Sequence, residues 1–338
     1  MLFLNVLLVI LTCMAYVTPF VNPNATPVFP IIGLGYPALL LCNLLTMLVW
    51  TLLRSKWVGL SGLTLLLGYS SCSRLINLSW ADDYDGQRIK VATYNANFSK
   101  PITMHNNKAA LEKSFDKYLK QNVDIDVLCV QEFGSATNLY LNKAYDFPHL
   151  HIIENRTVAI YSKYPFYDVG AIDFSSTIAN TCMWADVLIG SDTVRVYTTH
   201  LESNRFDGKV PEVIEEDAPE EMSNSVLLGV VQHHQKFSIE RLRQAQLIKR
   251  HQEKSPYKSI ICGDFNETPQ SYVFQVLADG MQDTFQEEGC GIASTFGERI
   301  PALRIDHMLV DPDLEVLDHT ISRSQFSDHY LIIADLGL

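Results

Sequence analysis

Charged residues are almost absent from the first 80 residues. In that stretch only Arg54, Lys56 and Arg74 carry a charge, whereas the whole 338-residue chain has 26 basic and 38 acidic side chains. A water-soluble surface needs a far higher share of charged side chains. This scarcity excludes an ordinary soluble fold for the N-terminal part, and we expect residues 1–78 to form a transmembrane region.

Three apolar runs make up this region, at Leu2–Phe20, Ile31–Leu53 and Trp57–Ser73. A helix needs roughly 20 apolar residues to cross the hydrocarbon core of a bilayer. The first two runs satisfy this, while the third is short and rich in glycine and serine, so we expect two or three transmembrane helices. The first run has neither a basic start nor a clear cleavage site, which favours an uncleaved span over a signal peptide.

The two positive charges between the second and third runs bear on orientation. Arg54 and Lys56 lie there, whereas the loop at residues 21–30 has no charge. Positively charged loops are usually cytoplasmic. With three spans, the remainder of this multi-pass protein is expected outside the cytoplasm, on the periplasmic side in a bacterium. With two spans the orientation reverses.

Paired cysteines and an excess of basic residues are also lacking. The seven cysteines are scattered, without the spacing of metal or redox motifs, so we expect them to be small core residues. The net charge of −12 argues against a general nucleic-acid binder, which usually presents a basic face to phosphates. This negative net charge does not exclude a small anionic substrate held by a metal ion.

After a polar linker at residues 79–87, a globular domain is expected at 88–338. Short runs rich in Val, Ile, Tyr and Thr predict strands. Several are apolar at consecutive positions, which is typical of strands covered on both faces. Helical patterns lie between them, and the acidic segment at 204–235 is expected to form a solvated loop, a helical insertion or a lid. The predicted fold is a two-sheet α/β sandwich, with strands at Ile89–Asn95, Ile125–Gln131, Thr157–Ser162, Met183–Ile189, Val194–His200, Ser259–Gly263, Ile305–Val310 and Tyr330–Leu336 and helices at Asn107–Gln121, Phe237–His251 and Ser271–Leu277.

Five short segments place acidic, amide or imidazole groups at or just beside predicted strand ends. Strand ends in a sandwich converge on one rim, so groups far apart in the sequence can meet there. Each segment alone is a weak signal. The five are Thr93-Tyr94-Asn95-Ala96-Asn97, Val130-Gln131-Glu132, Thr198-Thr199-His200-Leu201, Gly263-Asp264-Phe265-Asn266 and Ser327-Asp328-His329.

Together and in this order, these segments resemble the endonuclease/exonuclease/phosphatase superfamily, with the membrane-bound bacterial members most similar. Further matches lie at residues 158–165, 241–246 and 304–307, so the resemblance covers the domain at 88–338. It implies a deoxyribonuclease-like sandwich and a phosphohydrolase that depends on Mg²⁺ or Mn²⁺. A hard cation is needed because a phosphoester is anionic and resists nucleophilic attack.

The resemblance implies a metal site. Glu132 matches the family's metal-binding glutamate, and Asn95 stands where a metal-side asparagine is found. Asp328 is expected to complete the ligand shell, directly or through water. A turn-forming asparagine at a strand end is the alternative role for Asn95.

The resemblance also implies a catalytic set. Asp264 matches the aspartate that orients or deprotonates the attacking water, and Asn266 is expected to donate to a phosphate oxygen. His329 matches an imidazole near the phosphate, held by Asp306. His200 matches a second histidine of the nuclease and sphingomyelinase branches, where it protonates the leaving oxygen or binds phosphate.

Four further residues are candidates for substrate binding. Asn97 stands where some relatives have an aspartate, and Asn155 and Arg156 precede a strand at a position where some relatives contact substrate. Arg156 or Arg304 is able to bind an anionic group. Each arginine is as well explained by pairing with an acidic side chain.

The sequence therefore predicts a membrane-anchored phosphohydrolase, with a phosphodiester favoured over a monoester. Nucleic acid, a phospholipid head group and a small phosphoester remain open as substrates. The bilayer is the expected partner, and no specific protein partner is indicated. The alternative is a non-catalytic, membrane-attached binding module with the same fold, but the site residues form a complete set, which favours the enzyme.

Overall fold

The computed structural model describes residues 1–79, 84–96, 108–121, 124–175, 180–204, 220–297, 303–324 and 326–338. The chain forms two compact units. The helical unit comprises Met1–Cys72, Glu202–Ala245 and Asn266–Val276, and the sheet unit comprises Ser73–Leu201, Gln246–Phe265 and Leu277–Leu338. Residues 73–78 of the predicted transmembrane region therefore belong to the sheet unit, and residues 202–245 and 266–276 of the predicted domain belong to the helical unit.

Helices account for most of the helical unit and flank the strands of the sheet unit. Two predicted helices, at 107–121 and 271–277, are present within a residue at each end, and the one predicted at 237–251 begins earlier, at Glu220. The helices are α1 (Leu2–Val17), α2 (Val28–Leu34), α3 (Tyr36–Leu52), α4 (Val58–Leu67), α5 (Tyr69–Ser73), α6 (Lys108–Gln121), α7 (Ser135–Ala144), α8 (Glu220–Gln252), α9 (Tyr272–Ala278) and α10 (Thr284–Glu288).

All eight predicted strands are present, together with strands that the sequence patterns did not indicate. The strands are β1 (Ile76–Leu78), β2 (Arg88–Asn95), β3 (Val127–Gln131), β4 (His149–Ile152), β5 (Val158–Ser162), β6 (Phe166–Ile172), β7 (Thr181–Ile189), β8 (Asp192–His200), β9 (Lys258–Asp264), β10 (Gln282–Asp283), β11 (Cys290–Ile292), β12 (Asp306–Val310), β13 (Glu315–Ser322) and β14 (Leu331–Gly337).

Two six-stranded sheets form the sandwich that the sequence predicted. One has the order β13-β14-β2-β3-β5-β4, and the other has the order β10-β12-β9-β8-β7-β6. In each sheet one central pair is parallel, namely β2 with β3 and β8 with β9. Neighbouring antiparallel strands complete each sheet, so the sheets are mixed.

The core lies between the sheets and follows from the alternation of side chains along each strand. On β2, Ile89 and Val91 pack into the cluster between the sheets, where they meet β7 residues such as Met183 and Ala185. The next residues, including Ala92, face the other way and pack in a second cluster with the aromatic residues of α6. Central strands with both faces covered explain the continuous apolar runs of the sequence.

The N-terminal region has fewer long spans than expected. Only the helical segment Leu2–Phe20 is by itself long and apolar enough to cross a membrane among the described residues, although a signal sequence passes the same test. Val28–Leu34 and Tyr36–Leu52 reach that length only as a pair bent by 59°. The third run is broken at Gly68 into α4 and α5, so α4 alone is a ten-residue helix.

The boundary between the apolar region and the domain also differs from the expected one. Residues 76–78 form β1, which pairs antiparallel with β11 inside the sheet unit. The cause is pairing with a strand more than two hundred residues later, which local hydropathy does not reveal.

The glycine before Asp264 is required by backbone packing. Gly263 has φ +135°, and a Cβ there would lie 2.0 Å from the carbonyl oxygen of Thr199 on β8. No side chain fits at that distance, and the φ value itself favours glycine.

We expect Gly263→Ala to lower the free energy of unfolding by about 3 kcal/mol, because it adds overpacking to an unfavourable φ. Gly280→Ala is the matched control, since Gly280 has φ +67° but open space around its Cβ position. Its cost is expected to be about 1 kcal/mol. Thermal unfolding of the full chain in detergent, followed by near-UV circular dichroism, measures both; equal losses would contradict the steric argument.

Candidate active site

The register of the strands brings the predicted site residues to one rim of the sandwich. Asn95 is paired with Gln131 at the ends of β2 and β3. Asp264 is paired with His200 at the ends of β8 and β9, and with Asp306 at the start of β12. Because β2 and β8 are each parallel to their partners, the carboxyl ends of four strands deliver side chains to the same rim.

Asp264 lies at the centre of this group. Its Oδ2 accepts a hydrogen bond of 3.0 Å from Asn95 Nδ2 and lies 3.6 Å from His200 Nε2. The same oxygen is 3.8 Å from His329 Nε2. The carboxylate is only 2% exposed, so these polar neighbours replace water around its charge.

His329 and Asp306 form a buried pair. His329 Nδ1 lies 2.8 Å from Asp306 Oδ2. Burial opposes the charge of the imidazolium, but the carboxylates of Asp306 and Asp264 outweigh it and raise the pKa of His329 to about 10. Burial raises the pKa of Asp306 to about 6, a rise that His329 limits. Between these values the pair is an imidazolium and a carboxylate.

Two hydroxyl groups hold this pair in place. Ser327 Oγ donates to the carbonyl oxygen of Asn95 (2.8 Å) and accepts from the backbone N–H of His329 (3.1 Å). Thr295 Oγ1 accepts from the backbone N–H groups of Ile305 and Asp306, each at 3.0 Å. Ser327 therefore fixes the segment before β14 to the end of β2, and Thr295 fixes the start of β12.

Two of the predicted ligands, Asn95 and Glu132, have features that suit a hard cation. Asn95 is fully buried, and its Oδ1 has no hydrogen-bond partner within the described part of the chain, as expected of an oxygen that faces an ion. Asn95 Nδ2 lies 3.5 Å from Glu132 Oε1, so the glutamate stands beside it. Glu132 has φ +50°, a strained conformation for a residue other than glycine, of the kind that functional sites retain. Asp328 is half-buried next to Ser327.

A second acidic group also meets the distance requirement for a metal. Single ligand atoms of Asp264, Asp306 and His329 all lie within 4.8 Å of one another. His329, however, engages Asp306 through Nδ1 and is held in its charged form, and an imidazolium has no lone pair for a metal. The trio therefore offers two carboxylates but no neutral imidazole to a metal ion.

Asn266 lies two residues after Asp264 and belongs to the helical unit. It is half-buried and has φ +51°, so the chain turns sharply directly after the Asp264 strand. The adjacent Glu267 is buried and accepts a hydrogen bond of 2.8 Å from Arg241 Nε. Arg241 Nη1 also donates to the carbonyl oxygen of Glu202, which follows His200 by two residues.

The candidate substrate residues have different placements. Arg304 is 1% exposed, and both oxygens of Asp283 and the carbonyl oxygen of Arg74 accept from its guanidinium, which supports a structural role in place of the predicted substrate contact. Arg156 lies 3.4 Å from Asp173 Oδ1, and Asn155 is an exposed turn residue with φ +63°. Asn97 lies outside the described residues.

Several residues that position the site were given no role from the sequence. Gln131 is fully buried and donates to Thr93 and Thr198, which joins the two sheets beneath the rim. The ring of Phe296 lies 5.0 Å from that of His329. Gln131 and Ser327 lie in the family motifs, directly before Glu132 and Asp328. Their position next to predicted site residues could have indicated a role in the site. No sequence motif includes Phe296, so its contact with His329 could not be predicted.

The N-terminal apolar region and the sandwich domain match different protein-family models. No curated protein matches the chain. Residues 1–75 match the model of a domain of unknown function (DUF8431).

Solved structures support the fold. An endonuclease/exonuclease/phosphatase protein of Bacteroides vulgatus has 19% identity and a TM-score of 0.55, covering 75% of this chain and 99% of its own. D. rerio TDP2 complexed with single-strand DNA product has 17% identity and a TM-score of 0.52, covering 75% and 100%. A mannosyl-6-phosphatase of Bacteroides thetaiotaomicron has 15% identity and a TM-score of 0.50, covering 74% and 100%.

The model of the Endonuclease/Exonuclease/phosphatase family matches residues 92–329, which is most of the chain and includes every strand end described above. With the sandwich and the rim already in place, this match is decisive: the chain belongs to the Endonuclease/Exonuclease/phosphatase family.

Proposed function

We propose that the protein is a membrane-anchored phosphohydrolase that uses Mg²⁺ or Mn²⁺ to cleave a phosphodiester. The observation that carries this proposal is the meeting of Asn95, His200 and His329 around one oxygen of Asp264. The group contains a base, an amide and two imidazoles, which are the functions that phosphoester hydrolysis requires.

Glu132, Asn95 and Asp328 are the proposed metal ligands. Their oxygens suit a hard cation, and the partnerless Asn95 Oδ1 is the feature that most favours one. When bound, the ion neutralises charge on the phosphate oxygens and so makes phosphorus more open to attack.

The chain's own residues handle the protons. Asp264 orients a water molecule and accepts one of its protons as the water oxygen bonds to phosphorus. The bond from phosphorus to the leaving alcohol oxygen breaks, and His200 in its protonated form donates a proton to that oxygen. The products are an alcohol and a phosphate ester, and transfer of the proton from Asp264 back to His200 through water restores both groups.

His329 has a different role in this scheme. Its imidazolium, held by Asp306, donates a hydrogen bond through Nε2 to a phosphate oxygen as negative charge develops. Asn266 donates to another oxygen. Neither group needs to transfer a proton, so the His329–Asp306 pair is required in its charged state throughout.

Membrane anchoring is supported by the distribution of polar side chains in the N-terminal helices. The exposed faces carry leucines such as Leu66 and Leu67, each 72% exposed, while polar residues are buried between the helices. Asn43 Nδ2 donates to Thr12 Oγ1 (2.7 Å), and Ser61 Oγ donates to Asn5 Oδ1 (3.0 Å). Apolar outside and polar inside is the pattern of helices packed in lipid.

Contacts among these helices support three passes. The Thr12–Asn43 bond and the packing of Tyr16 on Tyr36 make α1 and α3 antiparallel. Along α4, Ser61 meets the start of α1, whereas a Cβ on Gly68 would lie 2.1 Å from the Tyr16 ring, so the chain returns toward the α2 end. α4 and α5 together cover residues 58–73 with a break at Gly68, so the third pass in this proposal is a short, broken helix.

This arrangement favours an extracytoplasmic site. Arg54 and Lys56 lie between α3 and α4, at the opposite end of the helices from α2. The positive-inside rule then places the α2 end outside the cytoplasm. The third pass brings residue 73 to that same side.

Removal of single site carboxylates is the direct test of the proposed function. The full-length protein in detergent would be assayed with Mg²⁺ on bis-aryl phosphate, aryl monophosphate, plasmid DNA and phospholipid. We expect Asp264→Asn to lower kcat at least about 100-fold on the substrate that is cleaved, because the base is lost. We expect Glu132→Ala to raise the Mg²⁺ concentration for half-maximal rate at least about tenfold.

Asp192→Asn is the matched control, since Asp192 is exposed at the opposite end of the strand that carries His200. It should retain the wild-type rate and Mg²⁺ dependence. Absence of metal-dependent turnover on every substrate would favour the binding module, and equal rates for Asp264→Asn and wild type would exclude the proposed base.

The pH dependence of kcat tests the His329–Asp306 pair. With pKa values of about 6 for Asp306 and about 10 for His329, the charged pair exists between them, so kcat should fall as Asp306 is protonated at low pH and as His329 loses its proton at high pH. Asp306→Asn removes the negative partner and lowers the pKa of His329. The alkaline limb should therefore move to lower pH by about 1–3 units. Because the scheme also needs protonated His200, the comparison is made in a His200→Gln background, where an alkaline limb that does not move in Asp306→Asn would contradict the role of Asp306.

A further inference from the structure

We propose that the substrate is a phosphoester lipid of the same membrane that holds the N-terminal helices. This inference rests on the proposed function, and it adds the substrate class. It follows from contacts inside the helical unit, where the loop after the Asp264 strand packs directly against the apolar N-terminal segment.

Gly33 on α2 packs directly against the loop at residues 266–271. A Cβ added at Gly33 would lie 2.6 Å from the backbone oxygen of Gln270 and 2.8 Å from Thr18 Cγ2. Gln270 is 1% exposed. Glycine at position 33 therefore permits an approach between helix and loop that any other residue would prevent.

Helix α8 joins the same two segments a second time. Gln235 Nε2 donates to the carbonyl oxygen of Pro23 (2.7 Å), and the buried His234 is hydrogen-bonded to the backbone of Pro30. Two turns further along α8, Arg241 binds Glu267 in the loop. The loop is thus connected to the 18–35 segment both directly and through α8.

These contacts limit how far the phosphate-binding position is from the apolar segment. Asn266, the proposed donor to a phosphate oxygen, precedes Gln270 by four residues, which span at most about 14 Å. The polar headgroup layer of a bilayer is about 5–8 Å thick on each side. Asn266 is therefore at most about two headgroup thicknesses from the loop residue that contacts α2, which favours a substrate held at the membrane face.

Charge favours a lipid over a nucleic acid. The chain has a net charge of −12, and six acidic residues lie close together in the sequence at positions 212–221. In the helical unit, the guanidinium of Arg241 is fully buried and already engaged by Glu267. A long polyanion is bound by a row of exposed basic groups. A single lipid head group carries one phosphate, which the proposed metal and phosphate-binding residues can bind by themselves.

Surface-dilution kinetics of the full-length protein test this proposal. Dodecyl maltoside micelles would contain phosphatidylglycerol, phosphatidylethanolamine, phosphatidic acid or sphingomyelin, with bis-aryl phosphate as the water-soluble comparison. We expect the turnover of at least one lipid to fall in proportion to its mole fraction in the micelle at constant bulk concentration. Its kcat/KM should exceed that of bis-aryl phosphate and of single-stranded DNA by at least tenfold.

A pair of glycine variants tests the contact itself. Gly33→Ala should lower lipid turnover at least fivefold while bis-aryl phosphate turnover stays within twofold. Gly59→Ala is the control, because nothing lies within 4 Å of a Cβ at Gly59 on α4, and both its rates should match wild type. A Gly33→Ala effect that is equal on both substrates would overturn the role of the contact.

The outcomes separate this inference from the function on which it rests. Metal-dependent cleavage of bis-aryl phosphate or DNA without cleavage of any lipid would overturn the lipid proposal and leave the phosphohydrolase intact. Absence of turnover on every substrate would overturn both. Lipid turnover that follows bulk concentration, independent of mole fraction, would also count against a substrate taken from the membrane.

Discussion

The close approach of β9 to β8 at Gly263 is the constraint on which the site depends. Gly263 faces the carbonyl of Thr199 where no Cβ fits, so the parallel pair runs tightly up to the rim. The next pair in register is His200 and Asp264. A wider separation at this point would move Asp264 away from the amide of Asn95 on the other sheet, and the bond of 3.0 Å between them would be lost.

A buried carboxylate is costly unless its neighbours replace the lost water, and this protein meets that cost in two ways. At the rim, Asp264 and Asp306 are surrounded by the imidazoles and the Asn95 amide, which leaves the groups polar and available for chemistry. Away from the rim, carboxylates are paired with arginines, as in Arg195 with Asp186. The guanidinium itself stays charged, because arginine does not deprotonate. The first kind of pairing suits catalysis and the second suits structure.

The N-terminal helices of the helical unit expose apolar side chains and bury polar ones, which is the reverse of the sheet unit. Within these N-terminal helices, buried positions include asparagine, serine and threonine, whereas large apolar side chains such as Leu52, Leu66 and Leu67 are exposed. Helices of this kind gain little from burying apolar surface against each other in lipid, and they associate through packing and hydrogen bonds between helices. That difference explains why composition separates the N-terminal part from the rest so clearly.

Local sequence was sufficient for the central strands and for the motifs at their ends. Strands β3 and β5 are buried throughout, so their apolar runs were visible. The missed strands β4 and β6 have mostly partial or full exposure, and pairing with a neighbour, which leaves no local pattern, makes them strands. The same holds for β1, which is paired with a strand far along the chain.

What the sequence determined by itself was the family, the sandwich and the residue types of the site, because hydropathy, strand length and motif order are local properties. What only the tertiary structure decided was which groups meet. Arg304 follows the recognised pattern but is bound by Asp283, and Ser327 is bonded to the Asn95 backbone although the two are far apart in the chain. The physical reason is that hydrogen bonds and ion pairs depend on distances of a few ångströms between segments, and those distances exist only after the two sheets have packed.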